Sequence, residues 1–443
     1  MNRINLTASP IVRGLLRNRI PQLGIITVLL AGYLFAILAG LIGSPVGSSN
    51  FAIVFVWIAW WALLILIAVP LLGRGWCSVC PIPVPGDWLQ RGAVLGPGGS
   101  RSTRRGLRWP RLLRNIWLQS GAFMVLAAFS TVLLTSPLVT AIVLAAMLLG
   151  AIGLSLVFER RAFCRYVCPV GGFIGLYAQV APLELRIQNK SVCVTCIGKP
   201  CYNGSAAGYG CPWDVFPAGL SKNTYCGLCM ECLRTCPHEN ISLNLRPFAA
   251  DLLQPAARMD EAFKGFVMLG SAMVYSAVLL GPWGFLKDAA YRVGSTAWFG
   301  YVLGVLAIIG IVLPGLFALC VASARSAGSF RVRFARMSTS LIPLGLTAWI
   351  AFSLSFVMSN ASYVLSSISD PLNLGWDLLG TAHLAWQPVL TAGVAPLQSL
   401  VLAAGAWWAA RQAQSAAAQE RISPLPVMLY IIAAASVFMW LLL

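Results

Sequence analysis

Long unbroken apolar runs organise this chain, and their length is that of membrane-crossing helices. A helix needs about 20 apolar residues to cross a hydrocarbon layer of roughly 30 Å. Nine runs meet that length: about 20–43, 51–73, 116–135 and 138–157, then about 264–284, 298–322, 338–358, 389–410 and 425–443. Nothing between 158 and 262 is long and apolar enough to span. The pattern predicts an all-α polytopic membrane protein of about nine transmembrane helices, with one soluble module inserted between the fourth and fifth.

Composition agrees. Of 443 residues, 58% are hydrophobic and 10% charged, where soluble chains carry about 45–50% and about 25%. The length alone would suggest about three soluble domains, and the composition overrides that count. A net charge of +18, from 31 Lys+Arg against 13 Asp+Glu, fits either nucleic acid or the inner face of a bilayer. Position decides. With Arg3, Arg13, Arg17 and Arg19 on the cytoplasmic side, only Lys287 and Arg292 fall outside. Arg101, Arg104, Arg105, Arg108, Arg111 and Arg114, then Arg325, Arg331, Arg333 and Arg336, then Arg411 and Arg421, all fall inside, and the outer loop 359–388 has no Lys or Arg. The charge is topological, and no aromatic-basic motif supports a nucleic-acid partner. The expectation is a multi-pass protein of the inner (cytoplasmic) membrane, with the N terminus and inserted module cytoplasmic and the C terminus outside. The first run is too long for the core of a signal peptide.

Twelve of the thirteen cysteines fall in patterns, all on the expected cytoplasmic side. Disulfides are disfavoured there, so the clusters read as metal ligands. Cys226, Cys229, Cys232 and Cys236 have the spacing C-x2-C-x2-C-x3-C-P, the bacterial ferredoxin run, whose last cysteine ligates the other cluster of a pair. Cys193, Cys196, Cys201 and Cys211 form a stretched version that also ends in Cys-Pro (Cys211, Pro212). The expected ligation is crossed: Cys193, Cys196, Cys201 and Cys236 on one 4Fe-4S cluster, Cys226, Cys229, Cys232 and Cys211 on the other. Zinc is the alternative, since paired C-x2-C motifs are also zinc knuckles. It has no use for a third cysteine followed by Cys-Pro.

The second run ends in Cys77, Cys80 and Pro81, and the fourth in Cys164, Cys168 and Pro169. Two helical hairpins thus deliver matching motifs, which reads as an internal duplication. Arg74, Arg160, Arg161 and Arg165 nearby would favour the thiolate form. Three readings stand for these four thiols: a third 4Fe-4S cluster at the membrane edge, another metal or dithiol redox role, or helix-end packing.

Over residues 50 to 250 the chain resembles the NapH/NosR/CcoG type of membrane-bound polyferredoxin, most closely in the segment FCRYVCPVG. The first motif has two residues between its cysteines where that family usually has three. The resemblance implies electron transfer at the inner membrane, between a quinol pool or cytoplasmic donor and a partner such as another redox subunit or a periplasmic reductase system. It therefore implies an electron-transfer subunit of an oxidoreductase complex more than a stand-alone enzyme, with membrane quinone as a further ligand. A related branch implies the alternative: an assembly or maturation factor that reduces a metal such as copper, or a thiol, for a partner enzyme.

Two histidines in the whole chain, His238 and His383, cannot share one haem, and no Cys-x-x-Cys-His exists, so no haem is expected. The expected organisation is 1–185 for the duplicated hairpins, 186–250 for the ferredoxin-like module with two clusters, and 251–443 for a five-span membrane domain. The loop 359–388 is long enough to carry a short interfacial helix and dock a partner.

Overall fold

The computed structural model describes residues 3–96, 106–253, 258–324 and 328–443; Arg101, Arg104, Arg105 and Arg325 lie outside the described residues. Among these residues eight helices are long and apolar enough to cross a membrane: Ile20–Ile42, Phe51–Ser78, Pro137–Val157, Met259–Leu280, Thr296–Ser323, Phe330–Asn360, Thr391–Glu420 and Leu425–Leu442. Each overlies a predicted run. The remaining run, 116–135, is built as two shorter helices, Trp117–Ala128 and Ser130–Thr135, which corrects the expectation of one continuous helix. Phe129 between them leaves helical geometry (φ −101°, ψ 13°). The ladder nevertheless continues, from Phe129 N–H to Val125 O (3.2 Å) and from Leu133 N–H to Phe129 O (2.9 Å). The break is therefore a kink rather than an end.

A strand pairing requires that this kinked segment still cross. Ile4–Asn5 (β1), Leu183–Ile187 (β2) and Ile241–Leu245 (β3) form an antiparallel sheet in the order β1-β3-β2, with Ile4 opposite Leu245 and Leu185 opposite Leu243. Residues 4 and 245 must lie on one side of the bilayer, so an even number of crossings separates them. Three full-length helices and the kinked one make four.

The chain forms two compact units, each assembled from separate stretches of sequence. One comprises Met1–Leu34, Ile67–Gln119 and Leu144–Gln254; the other comprises Phe35–Leu66, Ser120–Val143 and Pro255–Leu443. The soluble module thus draws on more than 186–250, since β1 comes from the N-terminal stretch and β2 begins at Leu183.

In the first unit the sheet packs Leu185, Ile241 and Leu243 against Leu228 and Leu233 of the cysteine loops. A buried charge network closes its other end. Arg246 reaches Glu184 (3.0 Å) and Asp251, Arg186 pairs with Asp251 (3.3 Å), and Asp251 accepts the Asn223 N–H (2.6 Å). These groups leave water together, so each carries several partners, as buried charges require. Asn223 opens the turn that leads into Cys226, so the network seats that loop.

In the second unit, Trp349 is fully buried in a ring cluster with Trp61, Phe123, Tyr275 and Phe352. Trp61 also donates its indole N–H to Ser353 Oγ (3.0 Å). Gly405 lies where an added Cβ would fall 1.8 Å from Thr347 Oγ1, so the helices carrying them approach closely, as small residues permit in membranes. A short helix, Ser362–Ser369, occupies the loop predicted to carry one. Cys320 is half-buried on its span, and His383 is exposed.

Candidate iron-sulfur centres

The structure gathers twelve cysteines into three sets, all within the first unit. Cys193, Cys196, Cys201 and Cys236 line one small pocket with Phe216, His238 and Asn240. Cys193 leaves the short helix Lys190–Thr195, whose N-cap Asn189 accepts the Ser191 N–H. Cys236 closes the helix Glu231–Thr235. Asn240 ties the two ends together: its backbone N–H points to Cys236 Sγ (3.3 Å) and its side-chain amide to Cys193 Sγ (3.2 Å). This is the distal set.

Cys211, Cys226, Cys229 and Cys232 form the middle set; Cys232 feels the charge of the other three and, beyond them, of Cys201. The loop between Cys226 and Cys232 places Leu228 (φ +47°) and Met230 (φ +63°) in the left-handed region, at a cost of about 1–3 kcal/mol each. Such alternation turns successive N–H groups to one side, the concavity that anions and iron-sulfur sites occupy. Trp213, two residues after Cys211, is 1% exposed, and its indole nitrogen lies 2.1 Å from where a Cβ at Gly227 would stand. Only glycine fits beneath that ring. The Trp213 Nε1–H is buried without a partner among the described residues.

Cys77, Cys80, Cys164 and Cys168 form the membrane-edge set, where each of Cys80, Cys164 and Cys168 feels other members. Cys168 caps the helix Pro169–Tyr177, and its Sγ accepts the Gly171 N–H (3.2 Å). The surrounding carbonyls are clamped by side chains. Gln22 donates to Ser78 O (2.7 Å), Gln119 to Cys164 O (3.1 Å), and Arg161 to Cys77 O (3.2 Å). Arg161 is itself buried against Asp87 (2.7 Å).

Two buried arginines join the last two sets. Arg74 donates to Gly171 O (2.9 Å) beside Cys168 and to Thr224 O near Cys226, and its guanidinium lies 4.3 Å from the Trp213 ring centre. Arg161 lies in electrostatic reach of Cys164 and Cys229, and its backbone N–H donates to Pro212 O (2.9 Å). The sets therefore run in the order distal, middle, membrane-edge.

The arginines pull the thiols toward ionisation, as expected, but burial outweighs them. Burial pushes Cys168 and Cys226 up to about 11, and Cys201 and Cys229 up to about 12, against the pull of Arg74 on the first two and Arg161 on Cys229. Cys80, Cys164 and Cys232 are also pushed up, by burial first and then by the neighbouring thiols. Thiols held this way become thiolates only around a positively charged core. Among the described residues no three His, Cys, Asp or Glu side chains converge tightly enough to hold one metal ion. A single tetrahedral zinc, with Zn–S of about 2.3 Å, would need sulfurs about 3.8 Å apart. Buried thiols in sets of four, N–H groups aimed at sulfur and the unpartnered Trp213 Nε1–H fit a 4Fe-4S core.

Asn240, Trp213, Gln22, Gln119 and the network of Arg186, Arg246, Glu184 and Asp251 play no part in the cysteine motifs. Only Trp213 had a signal, its place directly after Cys211-Pro212.

The 4Fe-4S binding domain family matches this chain at residues 53–102 and 140–187. Those segments hold Cys77 and Cys80, and Cys164 and Cys168; they are the two hairpin ends and stop short of the run at 226–236. Two relatives are similar. YccM of Escherichia coli (strain K12), named as an electron transport protein, is 28% identical over 131 residues, covering 28% of this chain and 34% of its own length. The methylamine utilization ferredoxin-type protein MauN of Paracoccus denitrificans (strain Pd 1222) is 28% identical over 138 residues, covering 28% of this chain and 46% of its own. The chain thus matches less than half the length of each of these relatives. No solved structure matches it. Two stretches of the chain are thus similar to 4Fe-4S binding domains, in a protein with eight helices, among the described residues, long and apolar enough to cross a membrane.

Proposed function

We propose that the chain relays single electrons along three 4Fe-4S clusters, held by the distal, middle and membrane-edge sets, between a quinol pool or cytoplasmic donor and a partner redox subunit. The end-to-end order of the sets carries this reading. A 4Fe-4S cluster supplies one-electron exchange with little change of shape. The chain's own groups do the rest. Cys193, Cys196, Cys201 and Cys236, then Cys211, Cys226, Cys229 and Cys232, then Cys77, Cys80, Cys164 and Cys168 fix the iron. N–H groups from Asn240 and Gly171 point at sulfur, which favours the more negative thiolate and raises potential. Arg74 and Arg161, buried between the middle and membrane-edge sets, offset negative charge on both.

A cleft beside Cys229 supports electron exchange with the quinone pool. Leu23, Ile26 and Trp88 give it an apolar wall, and Arg91, Glu231 and Tyr209 a polar end. An amphipathic quinol has that division. With the arginine-rich connections inside, the module and N terminus face the cytoplasm and the C terminus lies outside; the loop 359–388 then offers a surface to a periplasmic partner.

Iron and acid-labile sulfide per chain, with EPR of the reduced protein, test the reading. About twelve irons are expected; about eight would remove the membrane-edge cluster, and zinc without sulfide would overturn the proposal. Reduction by quinol and stable co-purification with catalytic subunits are expected of a relay. A free protein that reduces copper ions would instead be a maturation factor.

A further inference from the structure

The distal set lies at one end of the series, next to the middle set and beyond it from the membrane-edge set. Its loops expose two aliphatic side chains beside the thiols: Val194, between Cys193 and Cys196, is 75% exposed, and Ile197, next to Cys196, is 94% exposed. Exposed aliphatic groups rimmed by polar residues are the build of a protein-contact site, and here the two stand beside the thiols.

The charge around them is one-sided. Lys190 and Lys199 flank the pair, are exposed, and meet no carboxylate among the described residues. The carboxylates of residues 186–250 are all engaged elsewhere. Asp214 is held by Arg160 (3.2 Å) and Arg165 (3.6 Å), Glu231 by Arg19 (2.9 Å) and Arg234 (2.8 Å), and Glu239 by Arg13 (2.8 Å) and Arg17 (2.9 Å). Two exposed aliphatic side chains thus stand in one short segment with two lysines that meet no carboxylate among the described residues, Lys199 lying over the Phe216 ring (5.0 Å). Redox encounters use small interfaces of this build, in which charge steers the approach and a few apolar contacts hold the pair briefly.

We infer that the face formed by Val194, Ile197, Lys190 and Lys199 docks an acidic, soluble one-electron carrier protein, and this rests on the relay reading above. One electron passes from the carrier, oxidised by one equivalent, to the chain, reduced by one; no proton moves and no bond forms or breaks. The carrier is acidic because the face has no free carboxylate, and it is a protein because Ile197 and Val194 present a dry centre that a small anion would leave uncovered.

The test follows bleaching of the full-length, iron-loaded protein in detergent by stopped flow. A reduced acidic 2Fe-2S ferredoxin serves as reductant, with photoreduced 5-deazaflavin, which needs no docking, as the comparison. The second-order rate with ferredoxin is expected to fall about tenfold or more in Lys190→Glu/Lys199→Glu, and to fall steeply with salt in the parent. Deazaflavin reduction and iron content should stay unchanged. Ile197→Ser, which keeps the charges, should slow the ferredoxin reaction while preserving its salt dependence. An unchanged ferredoxin rate in both variants overturns the docking surface. So does an equal loss when a basic carrier of similar size replaces ferredoxin. A parent protein that deazaflavin cannot reduce would overturn the relay itself, a result distinct from one that deazaflavin reduces and ferredoxin ignores.

Discussion

Replacing Arg74 with methionine keeps much of the side-chain bulk and removes its charge. Arg74 is 4% exposed and holds two carbonyls from different loops, Gly171 O (2.9 Å) and Thr224 O, while stacking 4.3 Å from Trp213. Hydrogen bonds from a charged donor contribute about 1.5–3 kcal/mol each, and a desolvated cation–π contact about 2 kcal/mol. Against this stand the cost of burying the guanidinium and its unpartnered Nε–H. A net loss of about 3 kcal/mol follows. For a compact unit of this size each kcal/mol moves the midpoint by about 2–4 °C, so thermal unfolding of the iron-loaded protein should drop by about 6–12 °C. Arg74→Lys, a point charge that reaches one carbonyl at a time, should recover less than half. The EPR signals of the middle and membrane-edge clusters should broaden together, because the same side chain fixes both loops. A midpoint within 2 °C of the parent and unaltered signals would refute the claim that Arg74 joins the two sets.

Gly227→Ala should drive a methyl into the Trp213 ring and cost the middle cluster, read as a loss of about four irons per chain; Trp213→Phe/Gly227→Ala should recover part of it. Asp87→Asn leaves Arg161 buried without its counter-charge and should destabilise by about 3–5 kcal/mol in denaturant titration. Stripping iron anaerobically should expose the thiol titrations. Folding raises Cys168 and Cys226 from about 9 to about 11, so their protonated forms stabilise the folded state. That contribution is complete below pH 9 and is lost as pH rises toward 11. The metal-free protein should therefore weaken across that window and the loaded protein much less, a contrast that circular dichroism at a series of pH values would measure.

The positions of eight spans and the cysteine motifs themselves were legible because each depends on local pattern. Twenty apolar residues mark a crossing wherever they occur, and C-x2-C-x2-C-x3-C-P carries its crossed partner in its own spacing. Phe129 was not legible: nothing in Phe129-Ser130-Thr131 differs from an ordinary helical tripeptide, and the kink shows only in the backbone. Burial was misjudged at Cys164 and Cys168, where neighbouring arginines argued for thiolates, because one-dimensional proximity shows charge and hides desolvation. Glu184 and Arg186 sit in a strand whose alternation reads as half-exposed. Their partners Arg246 and Asp251 come from some sixty residues downstream, beyond any local motif. Asn240 is four residues from Cys236 and unremarkable until the fold brings it back to Cys193.

The pairing of Ile4–Asn5 with Ile241–Leu245 bears on how the molecule is made. When β1 leaves the ribosome its partner strand is more than two hundred residues from synthesis, and four crossings must be inserted before it appears. The segment carrying β1 must wait through all of them, free to find the edge of β3, with Arg13 tied back to Thr7 O (3.0 Å). Until that strand docks, Leu6 and Leu16 cannot close over the core that holds Cys201 and Cys232. Closure of the core around Cys201 and Cys232 is then a late event in biosynthesis, and a substitution that breaks the pairing of Ile4–Asn5 would delay maturation without touching a single cysteine.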